Sequence, residues 1–343
     1  MMTQSGALAA PFPYFGGKSK IVKLVWELLG DPPNYVEPFA GSAAVLLGRP
    51  APLGGTETIN DMNGFLANFW RAVSRDAGAV ARHADWPVNE TDLFARHSWL
   101  MRQGDGLKTG LHDPEFYDAK IAGWWCWGMC ASIGGSWCSG RGPWIWDGEK
   151  IVDRRQLPHL GDRGLGINRQ LPHLGDRGLG INRQLPHLGG RGRGINRQLP
   201  HLGDRGRGEY IAEWFALLQA RLRNVRVAHG DWGRVMGESV TTKMGITGIF
   251  LDPPYQSGAM QYASGGMGQN IALAVERWCA ENGANQKLRI LVCGHENDHD
   301  ALSDMGWSRH VWARGGGYAK KRARLEAIWA SPACLGADEM LSV

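Results

Sequence analysis

Hydrophobic residues fall into short runs at both ends of this chain and lose that order in the middle. The run Gly248-Ile249-Phe250-Leu251 is apolar at consecutive positions, as a strand buried on both faces requires. Pro253-Pro254 must end it, because neither residue can donate to a ladder. Asp252 and Tyr255 are thereby fixed at a strand's carboxyl end, the edge of an open α/β sheet where ligands bind. Similar runs predict strands over residues 35–39 and 57–61, set among helices over 18–29, 42–47 and 63–74. Further on, a helix over 209–222 precedes strands over 225–228, 249–252 and 288–293, with a helix over 270–281 between the last two. Such βα alternation on both flanks predicts one parallel sheet and leaves residues 85–208 as an insertion.

The insertion carries a 14-residue repeat starting at Arg155, Arg169, Arg183 and Arg197, the first copy reading RQLPHLGDRGLGIN. A proline and at least three glycines in each copy exclude a continuous helix, which leaves a coil-and-strand stack or a flexible arm. The charge of the chain is concentrated here. The net charge is +5, yet residues 155–210 alone hold ten arginines, no lysine and four acids, a balance of +6, so the remainder stands at −1. A near-neutral body with one arginine-rich segment predicts a polyanion partner for that segment; solvated surface charge is the plainer alternative.

A chain of 343 residues can bury a substantial core as one large domain or two smaller ones. The first residues lack a basic flank followed by an apolar core, and no stretch has the apolar length of a membrane span, so a soluble, cytoplasmic protein is expected. Six cysteines in a chain this long fit a reducing compartment rather than a disulfide framework. Cys126, Cys130 and Cys138 form no C-x-x-C pair and find no evident fourth ligand, so no metal is expected. Residues 124–146 hold six tryptophans, which read as the core of a small lobe or, beside Arg141, as a surface that stacks bases.

Three stretches carry candidate chemistry. In YVEPFAGSAAVLLG (35–48) a strand end is followed by Gly41, which permits a tight turn, and by Ser42, which can cap the next helix; a ligand could approach the backbone there, although a plain strand-to-helix turn reads the same way. In ETINDMNGFLANFW (57–70) Asp61 ends the next strand, 20 residues beyond Gly41, where an acid accepts from ribose hydroxyls or simply caps the following helix. In PFPYFGGKSKIV (11–22) Lys18 stands at a helix start, a poor place for a cation unless it faces an anionic group.

Taken in order, PYFGGKSKI, VEPFAGSAAV, INDMNGFL, VAHGDW and FLDPPY resemble the Dam-like class of DNA adenine-N6 methyltransferases. The tail GWSRHVWARGGGYAKKRARLEAIWASP is similar to the family's close, a basic loop before a final strand. The resemblance covers residues 11–80 and 210–332. It implies a Rossmann-like class I methyltransferase sheet with an inserted target-recognition lobe containing the repeats. The core would comprise residues 1–84 and 209–343, and the insertion 85–208, with a tryptophan-rich lobe over 113–150 and repeats over 155–210. It also implies S-adenosylmethionine as cofactor, double-stranded DNA as partner and a place for a cognate restriction endonuclease.

Carried over residue by residue, the resemblance assigns Tyr14 and Lys18 to holding the cofactor, with Lys18 near its carboxylate. Glu37, Phe39 and Gly41 would line the amino-acid end, Asp61 would take the ribose, and Asp231 and Trp232 would border the adenine. Asp252, Pro253, Pro254 and Tyr255 would form the pocket for the target base. The alanine-rich AGSAAV departs from the family's usual turn. Phosphate contacts would fall to Arg163, Arg177, Arg191, Arg193, Arg205 and Arg207 in the repeats. Arg141 beside the tryptophans would add to them, as would Lys320, Lys321 and Arg322 in the tail. Asp rather than Ser before P-P-Y favours adenine, through the resemblance alone, over the rival readings of cytosine-N4 or RNA methylation. A catalytically silent DNA-binding protein on the same scaffold is a rival from another class.

Overall fold

The computed structural model describes residues 8–14, 16–50, 55–132, 137–139, 144–149, 151–153, 207–254, 267–313 and 325–336. Helix α1 (Val22–Leu29) leads into β1 (Asn34–Glu37), the short α2 (Ala44–Leu47) and β2 (Thr56–Asp61). Three helices follow: α3 (Gly64–Ala84), α4 (Glu90–Gly110) and α5 (Ala119–Ala131). A small antiparallel pair, β3 (Trp144–Trp146) and β4 (Ile151–Asp153), comes next. The second half brings α6 (Arg207–Leu222), β5 (Val225–His229), β6 (Thr247–Leu251), α7 (Met267–Asn282), β7 (Leu288–His295), α8 (Asp300–Ser303), β8 (Ser308–Ala313) and β9 (Leu325–Ala330).

Seven strands form one sheet in the order β5-β2-β1-β6-β7-β9-β8. The first five are mutually parallel, and β9 runs antiparallel between β7 and β8. The burial of each strand follows from its place. Central β1 and β6 are buried at every position, whereas edge strand β5 is only partly covered. Along β6 and β7 the side chains alternate between two apolar layers. Phe250, Leu291 and Cys293 join the layer built by α1, α3, α5 and α6; Ile249, Leu251, Ile290 and Val292 join the layer under α7 and α8.

Helix α3 starts where Asn63 accepts a hydrogen bond from the Phe65 N–H, and buries a stripe through Phe65, Leu66, Phe69, Trp70 and Val73. It bends at Asp76, whose backbone leaves the helical region while its carboxylate accepts from Ala79 N–H and caps the second half. Helix α5, capped by Asp118, is apolar on every face and is correspondingly enclosed: Trp125 and Trp127 are buried in the same cluster as Phe69 and Trp70. Gly123 makes that fit possible, since a Cβ there would lie 2.4 Å from the Cβ of His83. The tryptophan-rich stretch therefore shares its core with the helices of the sheet, and the described part is not a separate small lobe. The thiols of Cys126 and Cys130 both face the Pro11 carbonyl.

The start of β2 is held by a buried ionic network. Arg221 of α6 contacts both oxygens of Glu57 at 2.6 and 2.8 Å, and Arg49 joins Glu57 at 3.2 Å to Asp31 at 2.6 Å. These bonds tie the helix that follows the repeats to the strand that precedes them.

Candidate active site

The strand order reverses between β1 and β6, and in such sheets the crevice beyond the carboxyl ends of the two strands takes the ligand. Chain leaving β1 enters this crevice through Phe39, Ala40 and Gly41; chain leaving β6 enters it through Asp252 and Pro253.

Gly41 is fixed on all sides. Its φ of +47° lies in the left-handed region, and a Cβ there would stand 2.5 Å from Cε1 of Tyr14, so only glycine lets the tyrosine ring close over the turn. The Gly41 N–H donates to Asp61 Oδ2 at 3.0 Å, and its carbonyl accepts from the Trp70 indole at 3.0 Å. Ser42 does not cap the next helix as expected. Helix α2 begins one residue later, after Ala43 at φ +49°, with no side-chain cap. Nor does Asp61 act as a helix cap, because Asn63 does so. Asp61 instead uses its second oxygen to accept from the Asn63 N–H at 2.8 Å. Burial pushes the Asp61 carboxyl up, against the opposing pull of the Asn63, Gly41 and Met62 N–H groups.

Glu37, at the end of β1, is 2% exposed. Its Oε2 accepts from the Tyr35 hydroxyl at 3.0 Å and the Leu46 N–H at 3.2 Å. Burial dominates and pushes its carboxyl up to about 8, helped by the neighbouring carboxylates of Asp252 and Glu57.

Lys18 reaches across to β6. It precedes α1 rather than starting it, and its Nζ lies 2.9 Å from Asp252 Oδ2 and donates to the Gly16 carbonyl at 2.9 Å. The lysine is buried and Asp252 is partly exposed, so the carboxylate keeps access to its surroundings while Oδ2 meets the ammonium. Burial works to lower the lysine's pKa, but the Asp252 carboxylate, with Cys293 and Glu326 nearby, turns the net shift upward.

At the β5 end, Asp231 accepts from the Gly233 N–H at 2.8 Å and caps the single turn Trp232–Val235. The Trp232 ring stacks on Phe39, centroids 6.1 Å apart and planes 26° apart, and meets Trp278 of α7 edge-on at 6.4 Å. Of the residues singled out from sequence, Tyr14, Gly41 and Asp61 thus form one contact group, Lys18 and Asp252 a second, and Phe39 and Trp232 a third. Tyr255, Arg141, Arg163, Arg177, Arg191, Arg193, Arg205, Lys320, Lys321 and Arg322 lie outside the described residues. Arg207 is described only as the first backbone position of α6.

Here the matched family enters. Residues 14–98 match the D12 class N6 adenine-specific DNA methyltransferases. No curated protein matches the chain. The D12 match begins at Tyr14 and takes in Glu37, Phe39, Gly41 and Asp61, at the ends of β1 and β2, and Lys18, which pairs with Asp252 beyond β6. It supports DNA adenine methylation as the reaction class and DNA as the substrate. It also supports S-adenosylmethionine, the donor that methyltransferases generally use. The chemistry of the site suits such a cofactor, with the Glu37 and Asp61 carboxyl groups at the ends of β1 and β2 and the Phe39–Trp232 ring stack towards β5. Among the described helices, none is long and apolar enough to cross a membrane.

Two residues close to the Lys18–Asp252 pair carry no motif and were not evident in the sequence. Cys293 is buried beside Lys18 and Asp252, and Glu326, buried on β9, acts electrostatically on both Lys18 and Cys293. A lone acid within the apolar run LEAIWA was the available signal for Glu326, since a charge is seldom buried without a partner.

Proposed function

We propose that this chain transfers a methyl group from S-adenosylmethionine to N6 of adenine in double-stranded DNA, with the target base extruded from the helix into the pocket that Asp252-Pro253-Pro254-Tyr255 begins. The observation that carries this reading is the crevice between β1 and β6, where the Gly41 turn and Asp61 stand on one side and the Lys18–Asp252 pair on the other. S-adenosylmethionine would supply a methyl group on a positively charged sulfur. The chain's own part is to position the acceptor. An amine conjugated to a purine is a poor nucleophile because its lone pair is delocalised into the ring. Asp252 and the Pro253 carbonyl offer two acceptors for its two N–H bonds, which favours a more tetrahedral nitrogen with its lone pair directed at the methyl carbon. The Lys18 bond at 2.9 Å fixes the rotation of the Asp252 carboxylate and leaves its other oxygen for the amine. The prolines stiffen the backbone that aims the carbonyl, and Tyr255 offers a ring face on which the extruded base can stack.

On the cofactor side, Glu37 and Gly41 would meet the amino-acid end, Asp61 the ribose, and Trp232 with Asp231 the adenine. Residues 85–208 would form the target-recognition region, in which the repeat arginines grip phosphates while other residues read bases. The test is incubation with unmodified DNA and labelled cofactor, followed by nucleoside mass spectrometry, with Asp252→Ala as control. Label in N6-methyladenine, absent in the variant, is the expected result. Label in cytosine would overturn the choice of base, and no label despite cofactor binding would leave a silent DNA-binding protein.

A further inference from the structure

Asn60 has no role assigned by the INDMNGFL stretch that contains it, yet its side chain bridges the chains leaving β1 and β5 on either side of β2. It is 1% exposed on β2, and its Nδ2 donates in two directions, to the Pro38 carbonyl beyond β1 at 3.0 Å and to the Gly230 carbonyl beyond β5 at 3.0 Å. The amide can be oriented only this way, because the opposite flip would press its oxygen against two carbonyl oxygens. The main chain repeats the pattern: Ala40 N–H donates to the Asn60 carbonyl at 2.9 Å, and Gly230 N–H to the Asp61 carbonyl at 3.1 Å. Both accepting carbonyls belong to chain that has just left the sheet ladder, where a buried oxygen without a donor is costly. Each also sits next to one partner of the ring stack: Pro38 immediately precedes Phe39, and Gly230 stands two residues before Trp232. No aliphatic residue could replace these two donors, and aspartate would set a carboxylate against both oxygens.

We propose that Asn60 is a positioning residue for the cofactor's purine: by joining the β1 and β5 exits it sets the placement of Trp232 against Phe39, and with it the ring that would border the adenine end of the cofactor. This rests on the methyltransferase reading above. The residue touches no reacting atom, so its effect falls on binding of the adenosine part and not on the transfer step.

The experiment is calorimetric titration of the full chain with S-adenosylhomocysteine and with 5′-deoxy-5′-methylthioadenosine, which keeps the adenosine and lacks the amino-acid end. Wild type is compared with Asn60→Asp, and with Asn60→Ser, which removes both amide donors without burying a charge and serves if the aspartate variant does not fold. Circular dichroism and the urea midpoint establish folding. Both ligands should lose affinity by the same factor, about tenfold or more for two lost hydrogen bonds, while kcat at saturating cofactor stays within about threefold of wild type. In a Trp232→Leu background the Asn60 substitution should have little further effect, as expected for residues acting through one another. A folded variant that binds both ligands like wild type overturns the inference, as does a loss confined to S-adenosylhomocysteine. Failure of the wild-type chain to bind either ligand would instead overturn the methyltransferase reading.

Discussion

Replacing Glu37 by glutamine tests the electrostatics of the site without altering its shape. The amide oxygen can take the place of Oε2 and accept from the Tyr35 hydroxyl and the Leu46 N–H, while the group no longer titrates. In the folded chain burial, reinforced by Asp252 and Glu57, pushes the carboxyl up to about 8 from 4.5. The native state therefore holds a proton that the unfolded chain releases, and wild-type stability falls as pH rises through the interval between those values. The slope is about 1.4 kcal/mol per pH unit. Over the whole interval it sums to about 5 kcal/mol, and it vanishes below 4.5 and above 8. Urea unfolding of both proteins in steps from pH 5 to pH 9 measures this directly. The advantage of Glu37→Gln over wild type should widen up to about pH 8 and then stay constant; parallel curves would refute the reasoning. Saturating S-adenosylhomocysteine should flatten the wild-type slope, because an ammonium group beside Glu37 draws its proton off.

Three further outcomes are expected. Arg221→Met removes both contacts to Glu57 and leaves that buried carboxylate with Arg49 alone; a loss of about 3–5 kcal/mol in urea unfolding is expected, and a loss under 1 kcal/mol would count against the network. Gly41→Ala must hold a side chain at φ +47° and displace the Tyr14 ring, so it should cost about 1–2 kcal/mol of stability and lower affinity for S-adenosylhomocysteine by about tenfold or more, read by calorimetry. Deleting residues 169–182, one repeat with two arginines, should reduce the slope of log K for DNA against log salt by about one to two with cofactor affinity intact; an unchanged slope removes the repeats from the DNA interface.

Much of the sheet was legible because parallel strands buried on both faces must be apolar runs, and β1, β2, β6 and β7 begin and end within two residues of expectation. Helix α3 was not, because Ser74-Arg75-Asp76 reads as a terminus. The chain does leave the helical path at Asp76, but the same side chain starts the helix again. Helix α5 offered no period to read: with apolar residues on every face, nothing in its sequence says which neighbours enclose it. Lys18 illustrates the limit at the site. Its position called for an anion, and the anion it meets here belongs to Asp252, on a strand far along the chain. Ser42 failed as a cap because Ala43 adopts the left-handed conformation, which no local preference for alanine would suggest.

The last described strand is also an inner one. Because β9 is inserted between β7 and β8, a ribosome that has finished β8 has produced a segment with no neighbour to pair with and has left the β7 edge bare. Only when residues 325–330 emerge can both gaps close, and the same step delivers Glu326 to the surroundings of Lys18. Completion of the sheet and completion of the charge pattern around the crevice are thus a single event, so a chain cut short before β9 would expose an unpaired edge prone to association and would lack a finished site.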